Sequence, residues 1–104
     1  MNTWTQLEAI ELCKKIESVC QVYGCHVALT GGLLYKEGNR KDADLLFYRI
    51  RQIPVISYEI LFKTLNQIGI NNIRGFGFVF KGEYLGKTLD MLFPEESKGE
   101  YKKI

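Results

Sequence analysis

The chain has 104 residues, of which 46% are hydrophobic and 25% charged, and a formal net charge of +2. That length holds one compact domain with one core, and so small a net charge excludes a general nucleic-acid coat while leaving local clusters of Lys and Arg free to act. No apolar run approaches the roughly 18 residues of a membrane span, and no basic flank with an apolar signal core is present, so a cytoplasmic location is expected.

From Thr3 to Tyr23, the residues Trp4, Leu7, Ile10, Cys13, Ile16, Val19 or Cys20, and Tyr23 recur opposite Gln6, Glu11, Lys14 and Ser18, which predicts an amphipathic helix. Thr5 and Glu8 have the spacing of a capping box, and Gly24 supplies the stop. Cys25 to Thr30 is a predicted buried strand ending abruptly at Gly31-Gly32. Leu33 to Glu37 has room for about one helical turn before Gly38-Asn39. Cys13, Cys20 and Cys25 lie among apolar neighbours without a C-x-x-C pair and are expected to be reduced core thiols rather than disulfide or zinc ligands. His26 is expected to be packed or hydrogen-bonded, outside any site.

Ala43 to Ile50 is the next predicted strand, and its Leu45-Leu46-Phe47-Tyr48 run predicts burial on both faces of an interior strand. After a boundary at Pro54, Ser57 is the expected N-cap of a helix with the buried stripe Ile60, Leu61, Leu65 and Ile68, ended by Gly69. Ile73 to Phe80 and Glu83 to Phe93 are two predicted strands flanking a hairpin turn at Lys81-Gly82. Phe76, Phe78 and Tyr84 are expected in core or cross-strand pairs rather than stacked on a base. Pro94 and the charged stretch from Glu95 to Lys103 end the packed region. The order helix, strand, short helix, strand, helix, strand, strand makes an α/β (α+β) domain, a mixed sheet covered by helices.

Three acids carry the chemistry. Asp42, Asp44 and Asp90 sit in apolar, strand-forming surroundings, where a lone carboxylate is costly unless paired, protonated or bound to a cation. Asp42 and Asp44 are two apart, so on an extended backbone both side chains leave the same face. Oxygen-only ligands at that spacing suit Mg²⁺ or Mn²⁺, and Asp90 adds a third carboxylate from a neighbouring strand. Three carboxylates are enough for a two-metal site with cations about 3.5 to 4 Å apart, one easing deprotonation of an attacking hydroxyl and one bracing the leaving pyrophosphate. Gly31-Gly32, between a strand and a short helix, lets a triphosphate approach backbone amides, with Thr30 as a further hydroxyl. Lys36, Arg40, Lys41, Arg49 and Arg51 concentrate positive charge nearby, Arg40 being the preferred phosphate contact, and Lys87 lies three residues before Asp90.

Gly31-Gly32, then Asp42-Ala43-Asp44, then Asp90 in a hydrophobic strand resembles the DNA polymerase β-like nucleotidyltransferase superfamily, most closely its minimal nucleotidyltransferases. The resemblance covers roughly residues 25 to 93. It implies a palm-like sheet that binds NTP with Mg²⁺ and moves a nucleoside monophosphate onto a hydroxyl of a protein, small molecule or nucleic acid. In that scheme Asp42 and Asp44 hold the metals, Asp90 completes the site and activates the acceptor, and Gly31-Gly32 cradle the phosphates, with Thr30, Arg40 and Lys41 beside them. Gly32 stands where the family often has Ser, which removes one hydroxyl contact. The chain ends soon after the third acid, without the helical domain of larger relatives, so the resemblance implies that a partner completes the site: a HEPN-type helical protein or a second copy of this chain. The alternative is a catalytically silent protein on the same fold, acting as antitoxin, nucleotide sensor or interaction module. A small nucleic-acid-binding domain ranks third.

Overall fold

The computed structural model describes residues 3–36, 38–50 and 56–94. The boundary at Pro54, the basic Arg51, the helix end at Glu37 and the charged tail from Glu95 lie outside the described residues. The elements are α1 (Gln6–Cys20) followed by a 3₁₀ turn (Gln21–Tyr23), β1 (Cys25–Thr30), α2 (Gly32–Tyr35), β2 (Asp42–Arg49), α3 (Tyr58–Gln67), β3 (Ile70–Phe76), β4 (Val79–Tyr84) and β5 (Lys87–Leu92). The strands form one mixed sheet in the order β1-β2-β5-β4-β3. Among the described residues the β2–β5 pair is parallel and the other pairs of named strands are antiparallel. The α+β class expected from the sequence is the class observed.

Helix α1 begins as its sequence dictates. The Glu8 amide donates to Thr5 Oγ1 at 3.2 Å and the Thr5 amide donates to Glu8 Oε1 at 2.9 Å, so each satisfies an amide that the helix leaves without a partner. Its buried stripe is Ala9, Leu12, Ile16 and Cys20, while Leu7 is 67% exposed. The expected stripe ran at steps of three residues, and each such step lags a full turn by about 60°, so that pattern winds around the helix. Steps of three and four stay on one side, and that side faces the sheet.

Helix α3 buries Tyr58, Leu61 and Leu65, with Ile60 52% exposed. Ser57 stands at its N-cap without a capping bond from its side chain. All three helices feed one core, in which Leu12, Ile16, Leu33, Leu61 and Leu65 meet Leu45, Phe47, Leu89, Met91 and Phe93. Burying each such side chain stabilises the fold by about 1.5–3 kcal/mol. The rings of Phe47 and Phe93 stack at 4.8 Å, and Phe62 meets Phe93 edge-on. Cys13, Cys20 and Cys25 are free thiols; Cys20 donates to the Cys25 carbonyl, and burial pushes the Cys13 thiol up to about 11, with Glu17 adding to the effect.

Two expectations fail in the sheet. Strand β2 is interior, but its residues alternate between buried and half-exposed, because the helices cover one face only. Three strands follow α3 instead of two, and Lys81-Gly82 lies inside β4 rather than at a turn. Gly82 is there for packing: a Cβ on it would lie 2.9 Å from Ile70 and 3.2 Å from Met91. The tight hairpin comes three residues later at Leu85-Gly86, both at positive φ (52° and 77°), the pairing that a two-residue turn between twisted strands requires. Among the described residues no helix is long and apolar enough to cross a membrane.

Candidate functional site

The uncovered face of the sheet carries the acids, because β2 buries Ala43, Leu45 and Phe47 and so turns Asp42 and Asp44 the other way. Register then assembles a row across all five strands. Thr30 of β1 pairs with Asp44 of β2, Asp44 with Asp90 of β5, Asp90 with Lys81 of β4, and Lys81 with Arg74 of β3. Side chains opposite one another in register share a face, so the row brings Thr30, Asp44, Asp90, Lys81 and Arg74 onto one surface. Asp42 belongs to the adjacent row, opposite Thr88.

The acids are less buried than their apolar neighbours implied. Asp42 is exposed, Asp44 and Asp90 are half-buried, and no polar residue among the described residues is buried. Their environments differ. The Thr88 hydroxyl contacts Asp42 Oδ1 and lies 3.1 Å from the Lys41 carbonyl. Asp90 Oδ1 accepts from Lys81 Nζ at 2.6 Å, and that bond holds the Lys81 ammonium above its usual pKa. Asp44 faces the other two carboxylates: partial burial and then the charges of Asp90 and Asp42 raise its carboxyl above the ordinary 3.8.

The glycine turn closes against this row. Gly31 adopts φ 74° and ψ −154°, a conformation essentially confined to glycine. A Cβ there would also overlap the Asp44 carboxylate, so Gly31 is required on two independent grounds. A Cβ on Gly32 would meet the Arg40 guanidinium at 2.6 Å, so the backbone of the turn lies directly under that cation. The turn is held from α1 and the segment before it. Gln6 Nε2 donates to the Leu33 carbonyl at 2.7 Å, and Trp4 and Arg40 exchange backbone bonds of 2.7 and 2.9 Å. Trp4 also donates through Nε1 to the Thr88 carbonyl at 2.6 Å, so its backbone holds Arg40 and its buried indole holds Thr88.

Of the residues singled out from sequence, Thr30, Gly31, Gly32, Arg40, Asp42, Asp44 and Asp90 therefore gather at one edge of the open face. Lys41 has an exposed side chain and enters through its carbonyl. Lys87 turns away, pairing with Glu8 at 2.9 Å and lying over the Trp4 ring. Tyr84 stacks on Trp4, as expected of a packed aromatic, whereas Phe78 is 41% exposed. Lys81 and Thr88 were not foreseen. Lys81 was hidden by the turn assigned to it, and Thr88, two residues before Asp90, carried a usable signal in that same-face spacing.

The donor set suits a hard divalent cation: carboxylate oxygens alone, on adjacent strands, beside a glycine turn that only a missing side chain permits. Asp44 is crowded by Asp90 and Asp42, yet among the described residues no three His, Cys, Asp or Glu side chains form a group that could hold a metal ion as they stand. Asp42 is turned to Thr88 and Asp90 to Lys81. No protein-family model matches the chain, and a search of curated proteins likewise gives no match.

Proposed function

We propose that this face binds an NTP with Mg²⁺ or Mn²⁺ and transfers its nucleoside monophosphate to an acceptor hydroxyl. One observation carries the reading: Asp44 lies in register with Asp90 on a parallel neighbour, with Gly31 packed against Asp44 too closely for any side chain. Asp42 and Asp44 would hold two cations with Asp90 completing the ligand set from the neighbouring strand, and the amides of Gly31-Gly32 with the Arg40 guanidinium receive the phosphates. When bound, the cations neutralise phosphate oxygens and make an attacking hydroxyl easier to deprotonate. Asp90 takes the acceptor's proton. The acceptor oxygen bonds to the α-phosphorus as the bond to the bridging oxygen breaks, and pyrophosphate leaves. A second chain, a HEPN-type protein or another copy, supplies the acceptor surface.

A second reading has its own support. Asp42 and Asp90 are already engaged by Thr88 and Lys81, which suits a catalytically silent protein that uses the fold as an antitoxin, nucleotide sensor or interaction module. Titration calorimetry with each NTP plus Mg²⁺ tests the site, and a labelled-transfer assay separates the two, since a nucleotide sensor binds without transferring. The transfer reading expects saturable heat with at least one NTP, loss of that heat in Asp42→Asn and Asp44→Asn, and labelled monophosphate appearing on an acceptor. Wild-type heat that persists in both variants, or its complete absence, leaves the silent reading in possession.

A further inference from the structure

Lys81 is a cation of the acid row that pairs with one of its acids. Its Nζ lies 2.6 Å from Asp90 Oδ1, its side chain is 43% exposed against 21% for Asp90, and register places it directly across from Asp90 on β4. Asp90 is thus held from the β4 side, while Asp42 is held by Thr88 from the same strand as Asp90. These two engagements give Asp90 and Asp42 partners other than a metal ion. An ammonium and a divalent cation on one carboxylate repel each other, so a metal recruited to Asp90 weakens its pairing with Lys81.

The geometry points to Lys81 as a resident counter-cation that occupies Asp90 in the free protein, is displaced when the metal binds, and then pairs with the incoming phosphates. This rests on the metal–nucleotide reading of the same acids. Lys81 suits the role because its charge sits on a flexible four-carbon stem, free to change partner without moving the strand. Arg74 continues the same row beyond Lys81 and donates to the Asn72 carbonyl, its own strand's backbone. The consequence is coupling. Metal alone competes with the ammonium, whereas metal arriving with a triphosphate gives the ammonium a new partner, so nucleotide raises metal affinity and metal raises nucleotide affinity by the same factor.

The test measures Mn²⁺ alone, by electron paramagnetic resonance of free ion and by calorimetry, on the whole chain, with circular dichroism confirming each variant folded. Lys81→Gln is expected to tighten Mn²⁺ binding about tenfold, Lys81→Arg to stay near wild type, and Arg74→Gln, which removes the same charge one strand away, to change it less than about twofold. Tripolyphosphate should strengthen Mn²⁺ binding in wild type and do so less in Lys81→Gln. Equal effects of Lys81→Gln and Arg74→Gln mean that net charge alone is at work and overturn the proposal. So does unchanged or weaker binding in Lys81→Gln; if Asp44→Asn still abolishes binding there, the metal reading survives alone. Absence of Mn²⁺ binding in wild type and Lys81→Gln alike removes both.

Discussion

Two carboxylates at opposite ends of this molecule's first strand pair have been treated in opposite ways. Glu17 of α1 accepts from the Val27 amide at 2.9 Å, from His26 Nδ1 at 2.6 Å and from Gln21 Nε2 at 2.9 Å. Burial works to raise its carboxyl, but the Val27 amide, His26 and Gln21 together outweigh that and hold it below the ordinary 4.5. Asp44, in register with Thr30 at the far end of β1, faces carboxylates instead, and its carboxyl is raised. Glu17 covers a backbone amide on an edge strand, where an open ladder invites pairing with other chains. Its hydrogen bonds are complete, so it stabilises the fold. Asp44 is crowded by like charge, which lowers stability and favours an added cation.

The largest effect expected from this contrast falls on the glycine beside Asp44. Gly31→Ala should destabilise the protein by about 3 kcal/mol, part from the backbone conformation and part from overlap with the carboxylate. Urea denaturation of a double-mutant cycle separates the parts: Asp44→Ala should recover the overlap but not the conformational share. If Gly31→Ala is neutral, the close approach that carries the site is wrong.

Next in size is Glu17→Ala, which leaves the Val27 amide and His26 without their acceptor and should cost about 1–3 kcal/mol. Nucleotide binding by calorimetry should be unaffected, since this carboxylate stands at the other end of β1. A loss of binding without a loss of stability would reverse the roles assigned to the two acids.

The smallest effect is the most diagnostic. Asp44→Asn should raise stability by about 0.5 kcal/mol at pH 7, a figure kept low because solvent screens a half-exposed group. The two carboxylates then respond to acid with opposite sign. The folded pKa of Glu17 lies below 4.5, so its stabilisation is full above that value and is lost as pH falls through the folded pKa. The folded pKa of Asp44 lies above 3.8, so its penalty is absent below 3.8 and grows as pH rises through the folded pKa. Urea midpoints of Glu17→Ala and Asp44→Asn should therefore straddle wild type at pH 7, and both gaps should narrow by pH 3. Parallel curves at all pH values would remove the electrostatic account.

Local chemistry was legible from the chain. The capping box at Thr5 and Glu8 formed as read, and the shared face of Asp42 and Asp44 followed from their two-residue spacing. Lys81-Gly82 has the composition of a turn yet lies inside a strand, because a glycine in a strand can serve packing as well as bending, and only the neighbouring Ile70 and Met91 tell which. The half-burial of the acids was also out of reach, since an apolar run predicts covered faces without saying which elements arrive to cover them.

By itself the amino-acid sequence determined what depends on near neighbours: helix starts, glycine stops, and the alternation that puts two aspartates on one side of a strand. The tertiary structure alone decided that Asp90 stands opposite Asp44, that Lys81 reaches Asp90, and that the face carrying them is open. The reason is register. A shift of one residue in strand pairing costs nothing locally yet turns every side chain to the other face, so the choice is made by the packing of Leu89 and Met91 into a core built from distant segments.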